Sequence, residues 1–234
     1  MTYASPAIDL RAPKADRNPG ILTAGGVALA VGSIGVTVTS VLYALSPPAA
    51  ALPAYPLDLA LTGARSGALT LHAAGTVGIF SDIVMAVGVL LVAFELIQRE
   101  RSIAAAGWIA MFLSIVVFTF VDAIGGYVLA PLAGLNDGAG VFAGFKRLFD
   151  VLFLLGTVAF GGGAMVALAD EMRASVPAVS RPLTVIGILV GLAAVLAAAA
   201  CFIGLPFGQG VGISIGLGSV LFVAVGVQLV LKPR

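Results

Sequence analysis

Six stretches of this chain are long and oily enough to cross a bilayer, and no other feature narrows its folding options as much. A helix needs about 20 mostly apolar residues to span a hydrocarbon core of about 30 Å. Stretches of this kind run over Gly20–Leu45, Leu69–Ile97, Ile103–Leu129, Arg147–Leu168, Leu183–Phe202 and Phe207–Leu231. Runs such as Ala105–Phe120 are apolar on every side, whereas the strands of a membrane β-barrel alternate. The expected fold is therefore all-α, a polytopic bundle of six transmembrane helices.

Composition excludes most other classes. Of 234 residues 60% are hydrophobic and 10% charged, against about 45–50% and 25% in a soluble domain. A net charge of +1 offers no electrostatic footprint for nucleic acid. One cysteine (Cys201) and one histidine (His72) can assemble neither an internal disulfide nor an ordinary zinc site. No phosphate-binding loop or dinucleotide fingerprint is present, so neither a cofactor nor a metal is expected.

The connections suit six spans. Pro47, Pro48, Pro53 and Pro56 interrupt the segment after span one, where a continuous helix would break. Gln98–Arg99–Glu100–Arg101 is a charged turn that makes spans two and three a tight hairpin. Pro131–Phe145, rich in glycine and carrying Asn136–Asp137, has the composition of a loop. Gly204–Leu205–Pro206 joins spans five and six in a second hairpin. The polar leader precedes an apolar run of about 26 residues, well beyond the 7–15 of a signal-peptide core. Residues 1–19 are thus expected to be a cytoplasmic tail and 20–234 the transmembrane domain.

Basic residues set the orientation, because cytoplasmic loops collect Lys and Arg. With the N-terminus inside, Arg11, Lys14, Arg17, Arg99, Arg101, Arg173, Arg181, Lys232 and Arg234 share the inner side. Arg65, Lys146 and Arg147 fall outside. Nine against three predicts both termini in the cytoplasm.

Ionisable side chains within the spans carry the functional information, since Asp at a helix centre costs about 2.5–3.5 kcal/mol to insert. Counting about 1.5 Å per residue from the inner turns places Asp82 about 24 Å up, and Asp122 and Asp150 about 30 Å up. Helix periodicity gives each acid small or hydroxylated company. Gly75, Gly78, Asp82 and Met85 form one stripe on span two. Thr119, Asp122 and Gly125 share a face of span three, and Asp150, Thr157 and Gly161 one of span four. Span one adds Ser33, Thr37 and Ser40, and His72 sits at the outer end of span two. Together these predict a polar pocket opening outward between spans one to four, with Asp82 at its floor. Its ligand-binding residues would be Asp82, Asp122, Asp150, Thr37, Ser40, Thr119 and His72. Plainer structural roles are also open. Asp150 can pair with Lys146 or Arg147 and favour its helix dipole, and Glu95 can pair with Arg99 at the interface.

Two patterns concern packing. Asp82–Gly88 and Asp150–Gly156 each read as Asp, five apolar residues, then Gly, which suggests duplication of two parallel spans. Gly187/Gly191 on span five and Gly208, Gly212 and Gly216 on span six have GxxxG spacing, the signature of close helix contact. They predict a tight hairpin, or a face for a homodimer or another membrane protein.

Span two, Gly78–Ile79–Phe80–Ser81–Asp82–Ile83–Val84–Met85–Ala86, followed by a hydrophobic stretch and the charged turn, resembles the second span of a family of uncharacterised six-span bacterial membrane proteins known as a domain of unknown function. The resemblance implies a bacterial inner-membrane setting and brings no activity with it. Three functions fit the residues. One is binding of a small amphipathic or lipid ligand in the polar pocket. Another is proton-coupled transport using Asp82 and Asp122. The third is an accessory or scaffold role in a larger membrane complex. Nothing in the spacing demands an enzyme.

Overall fold

A computed structural model describes residues 19–46, 57–135, 137–174 and 177–231. Residues 1–18 of the expected N-terminal tail, the four prolines after span one and the basic residues Lys232 and Arg234 lie outside these, while Pro19 opens the first helix. The chain forms α1 (Pro19–Leu45), α2 (Leu57–Ser66), α3 (Ala68–Gln98) and α4 (Ser102–Ile124). A π-helical turn, Gly125–Leu129, follows α4 and leads to α5 (Ala130–Ala133), then α6 (Ala139–Arg173), α7 (Arg181–Phe202) and α8 (Gly208–Leu231). Six of these stretches are long and apolar enough to cross a membrane: α1, α3, α4 through α5, α6, α7 and α8.

Each span packs on the next in the chain, and α8 closes back on α1. The result is a ring of antiparallel neighbours, with the start of α1 and the end of α8 at what we call the terminal end and α2 and α5 at the distal end. Side chains plug the ring. The Trp108 and Phe160 rings meet Phe222 edge-on, at centroid distances of 6.0 and 5.2 Å, among buried Leu29, Met85 and Met111. The outer surface is apolar, with Phe80, Leu113, Phe120, Leu189 and Ile213 all exposed. So large an oily exterior needs lipid as its solvent. The chain is a multi-pass integral membrane protein.

The expected loop over Pro131–Phe145 is largely helical instead. After the short α5, α6 begins at Ala139 rather than at Arg147. Phe142 and Phe149 are buried in a distal cluster with Leu71, Val121 and Leu129, and this apolar anchor holds the glycine-rich stretch in helical form. The buried face of α2, Ala60 and Ala64, covers the same cluster.

The glycine faces also find partners that spacing does not reveal. A Cβ at Gly191 would stand 2.8 Å from Gly161 O, and one at Gly187 would strike Leu168. The small face of α7 is therefore spent mainly on α6, although Leu221 of α8 also lies 2.9 Å from a Cβ placed at Gly187. Gly212 and Gly216 of α8 face open space. The two hairpin ends are tied by polar contacts instead: Gln228 Oε1 accepts the Ser180 N–H at 2.8 Å, and Gln228 Nε2 donates to Ser180 Oγ at 3.0 Å.

Candidate functional site

Asp82 stands at the middle of α3, and Asp122 lies within the third span, just before the last two residues of α4. Their Cα atoms sit at different heights, yet their carboxyls meet. Side chains on a helix lean toward its N-terminus. Because α3 and α4 are antiparallel neighbours, Asp82 leans toward the distal end and Asp122 back toward the terminal end. The two carboxyls are close neighbours, and Thr119, whose hydroxyl donates to Ile115 O at 3.1 Å, lies beside Asp82. Gly78, one turn before Asp82, makes room: a Cβ there would stand inside the Asp122 carboxyl, against Oδ2 and Cγ.

The pair is sealed. Asp82 is 3% exposed and Asp122 6%. Tyr43 of α1 donates from its hydroxyl to Asp122 Oδ1 at 2.9 Å. The π-helical turn lets it approach, since a Cβ at Gly125 would stand 2.5 Å from that hydroxyl. Beyond the pair the backbones of Gly75 and Gly126 pack directly on each other, so α3 and the π-helical turn close over the carboxyls. Asp82 Oδ2 has no hydrogen-bond partner. Among the described residues no ion pair reaches either acid.

The other sequence candidates scatter around this centre. Thr37 turns to α8, where its hydroxyl lies 2.9 Å from that of Ser219. Ser40 returns its hydroxyl to Val36 O at 2.9 Å. His72 Nδ1 is 3.3 Å from Gly126 O, and its ring meets Tyr127 edge-on. Asp150 is paired along its own helix with Lys146, at 2.5 Å, as the i−4 spacing allowed. Asp82, Asp122 and Thr119 are thus brought together, and Thr37, Ser40, His72 and Asp150 are not. Tyr43 is the member that sequence reasoning missed, although it continues the span-one face three residues beyond Ser40.

Two cavities stand out. One is a lateral groove of about 350 Å³ between α3 and α4, walled by Ile83, Val87, Phe112 and Val116, with Thr119 as its polar contact. The other lies at the terminal end, about 260 Å³, and Glu95, Arg99, Arg101, Glu171 and Trp108 line it. Glu95 pairs with Arg99 at 2.8 Å as expected, and it is buried within the protein. Arg101 sits between the carboxylates of Asp170 and Glu171. Burial works against its charge, and the bonds and fields of these two acids outweigh that and raise its pKa. Among the described residues no three His, Cys, Asp or Glu side chains come together as metal ligands. No family model, curated protein or solved structure matches the chain, so the functional reading rests on this geometry.

Proposed function

We infer that the protein binds a small amphipathic molecule from the membrane and that Asp82 and Asp122 exchange a proton as it does so, a proton-coupled carrier site. The observation that carries this is the sealed contact between two carboxyls that no cation reaches among the described residues. Two full negative charges about 4 Å apart repel by about 4 kcal/mol even at an effective dielectric of ~20, and each also loses several kcal/mol of hydration. One proton between them turns repulsion into a hydrogen bond. A proton so held, at mid-span, is available to whatever changes the surroundings of Asp82.

The lateral groove supplies the route. An acyl or aryl group fits its apolar walls, while the ligand's polar end meets Thr119, which also contacts Asp82. A ligand seated at Thr119 changes the surroundings of Asp82 and shifts the proton. The setting we infer is a bacterial inner membrane with both termini cytoplasmic. The accessory-subunit reading has one supporting feature, the open Gly212/Gly216 face of α8.

Infrared spectroscopy of the protein in lipid films tests the proton directly. The expected result is a carbonyl band of a buried protonated carboxylic acid at neutral pH, shifted in D2O and lost in both Asp82→Asn and Asp122→Asn. No such band in the wild type, or one indifferent to both substitutions, overturns the reading.

A further inference from the structure

The lateral groove between α3 and α4 is selective in what it offers a polar group. None of the residues that line it is charged, and Thr119 is the one with a polar side chain. A charged headgroup within hydrocarbon needs a counter-charge or water, and this lining supplies no counter-charge. A single hydroxyl is what remains.

That hydroxyl has a fixed sense. Thr119 donates to Ile115 O at 3.1 Å, one turn back along its own helix. A threonine hydroxyl carries one proton and two lone pairs, so toward the groove Thr119 can only accept. It is half-buried and lines the groove, within reach of a molecule that enters from the membrane. A partner for it must donate, which a ketone, an ether or an ester cannot do. An amide can, but its own carbonyl would find no donor among these side chains, and an unpaired acceptor is costly in a dry site.

Depth excludes the ordinary membrane lipids. Ile83 stands at the middle of the Ala68–Gln98 span, and Thr119 near the middle of the Ser102–Ala133 span. From there the walls run toward the terminal end, past Val87 to Leu90 on α3 and past Val116 to Phe112 on α4. At about 1.5 Å per residue the run is about 10 Å long. A phospholipid keeps its headgroup at the interface, about 15 Å from the middle of a 30 Å core. Only its tails reach the groove, and they leave Thr119 without a donor. The polar group that meets Thr119 is therefore small and uncharged.

Given the ligand-binding function inferred above, we propose that the groove selects a small uncharged alcohol or phenol. Its O–H donates to Thr119 Oγ1, and its hydrocarbon body lies along Val87, Leu90, Phe112 and Val116.

The full-length protein in lipid nanodiscs is titrated with para-trifluoromethylbenzyl alcohol and with its methyl ether, both followed by fluorine NMR. The ether keeps the oxygen and loses the donor. Affinities are referred to each probe's concentration in the membrane, with empty nanodiscs as the blank. The expected result is saturable broadening with the alcohol and binding about threefold to tenfold weaker for the ether, the scale of one neutral hydrogen bond. Thr119→Ser keeps that preference and Thr119→Val abolishes it. Equal binding of alcohol and ether by the wild type overturns the donor selectivity while a groove ligand survives. A folded Thr119→Val protein that still prefers the alcohol overturns it as well. No saturable signal beyond that of empty nanodiscs overturns the selectivity and the groove ligand together.

Discussion

Gly78→Ala is the smallest change that probes the carboxyl pair, because it adds one methyl group where Asp122 now rests. The new Cβ would lie within the Asp122 carboxyl, against Oδ2 and Cγ and 2.9 Å from Oδ1. Neither neighbour can simply give. The Asp122 carboxyl is held by Tyr43 from one side and by Asp82 from the other, and the backbones of α3 and the π-helical turn are already in contact at Gly75 and Gly126. Overpacking of this kind costs about 1–3 kcal/mol. Displacing the carboxyl loses the Tyr43 hydrogen bond, worth roughly 1 kcal/mol. Alanine's better helix propensity returns at most about 1 kcal/mol. The net expectation is a loss of about 1–3 kcal/mol. Gly162→Ala is the control: its Cβ would meet nothing within 4 Å, so stability should be unchanged or up to about 1 kcal/mol higher.

The assay is reversible SDS unfolding in mixed micelles, followed by circular dichroism, for the two single variants and a cycle of Gly78→Ala with Asp122→Ala. In the Gly78→Ala background the obstacle is the Asp122 side chain itself, so removing it should cost at least about 1 kcal/mol less than in the wild type. A Gly78→Ala protein as stable as Gly162→Ala, or a cycle additive within about 0.5 kcal/mol, refutes the placement of Asp122 over Gly78.

Two further outcomes follow from the charges. Lys146→Met leaves Asp150 buried without its cation, so SDS unfolding should show a loss of about 3–5 kcal/mol, largely restored in Lys146→Met/Asp150→Leu. A green fluorescent reporter fused to the C-terminus should be fluorescent and an alkaline phosphatase fusion inactive; active phosphatase would reverse the orientation drawn from nine basic residues against three.

The spans were legible because a hydrocarbon solvent demands them. Boundaries at α1, α3, α7 and α8 fall within two residues of those read from apolar runs. The start of α6 was not legible, because Gly138, Gly140 and Gly144 argue locally for a loop, and only the distal burial of Phe142 overrules them. Small-residue stripes on α3, α6 and α7 marked packed faces but not their partners, and the Gly212/Gly216 stripe of α8 faces open space. In a ring every helix has two neighbours, and periodicity along one helix cannot choose between them. The Gly187/Gly191 stripe therefore meets α6 at both glycines and α8 only through Leu221 beside Gly187. Likewise the Asp150, Thr157 and Gly161 stripe faces α7, where Gly161 meets the backbone of Gly191, and this keeps Asp150 away from Asp122.

The short repeat acquires meaning from the same ring. In α3, Gly88 packs on Leu29 of the preceding span while Asp82 meets Asp122 of the following one. In α6, Gly156 packs on Phe118 of the preceding span, and Asp150 pairs with Lys146 of its own helix. Both copies pack their glycine backward around the ring, and they differ in where the acid finds its partner. What separates them is the residue four positions before the acid, Gly78 in one copy and Lys146 in the other. Lysine at that position supplies a cation from the same helix, and the acid becomes half of an internal ion pair. Glycine leaves the same space empty, and a second carboxyl from the next helix enters it. One position thus decides whether a buried aspartate is paired with a cation of its own helix or faces a second carboxyl from its neighbour, and it is the glycine copy on which the proposed proton exchange rests.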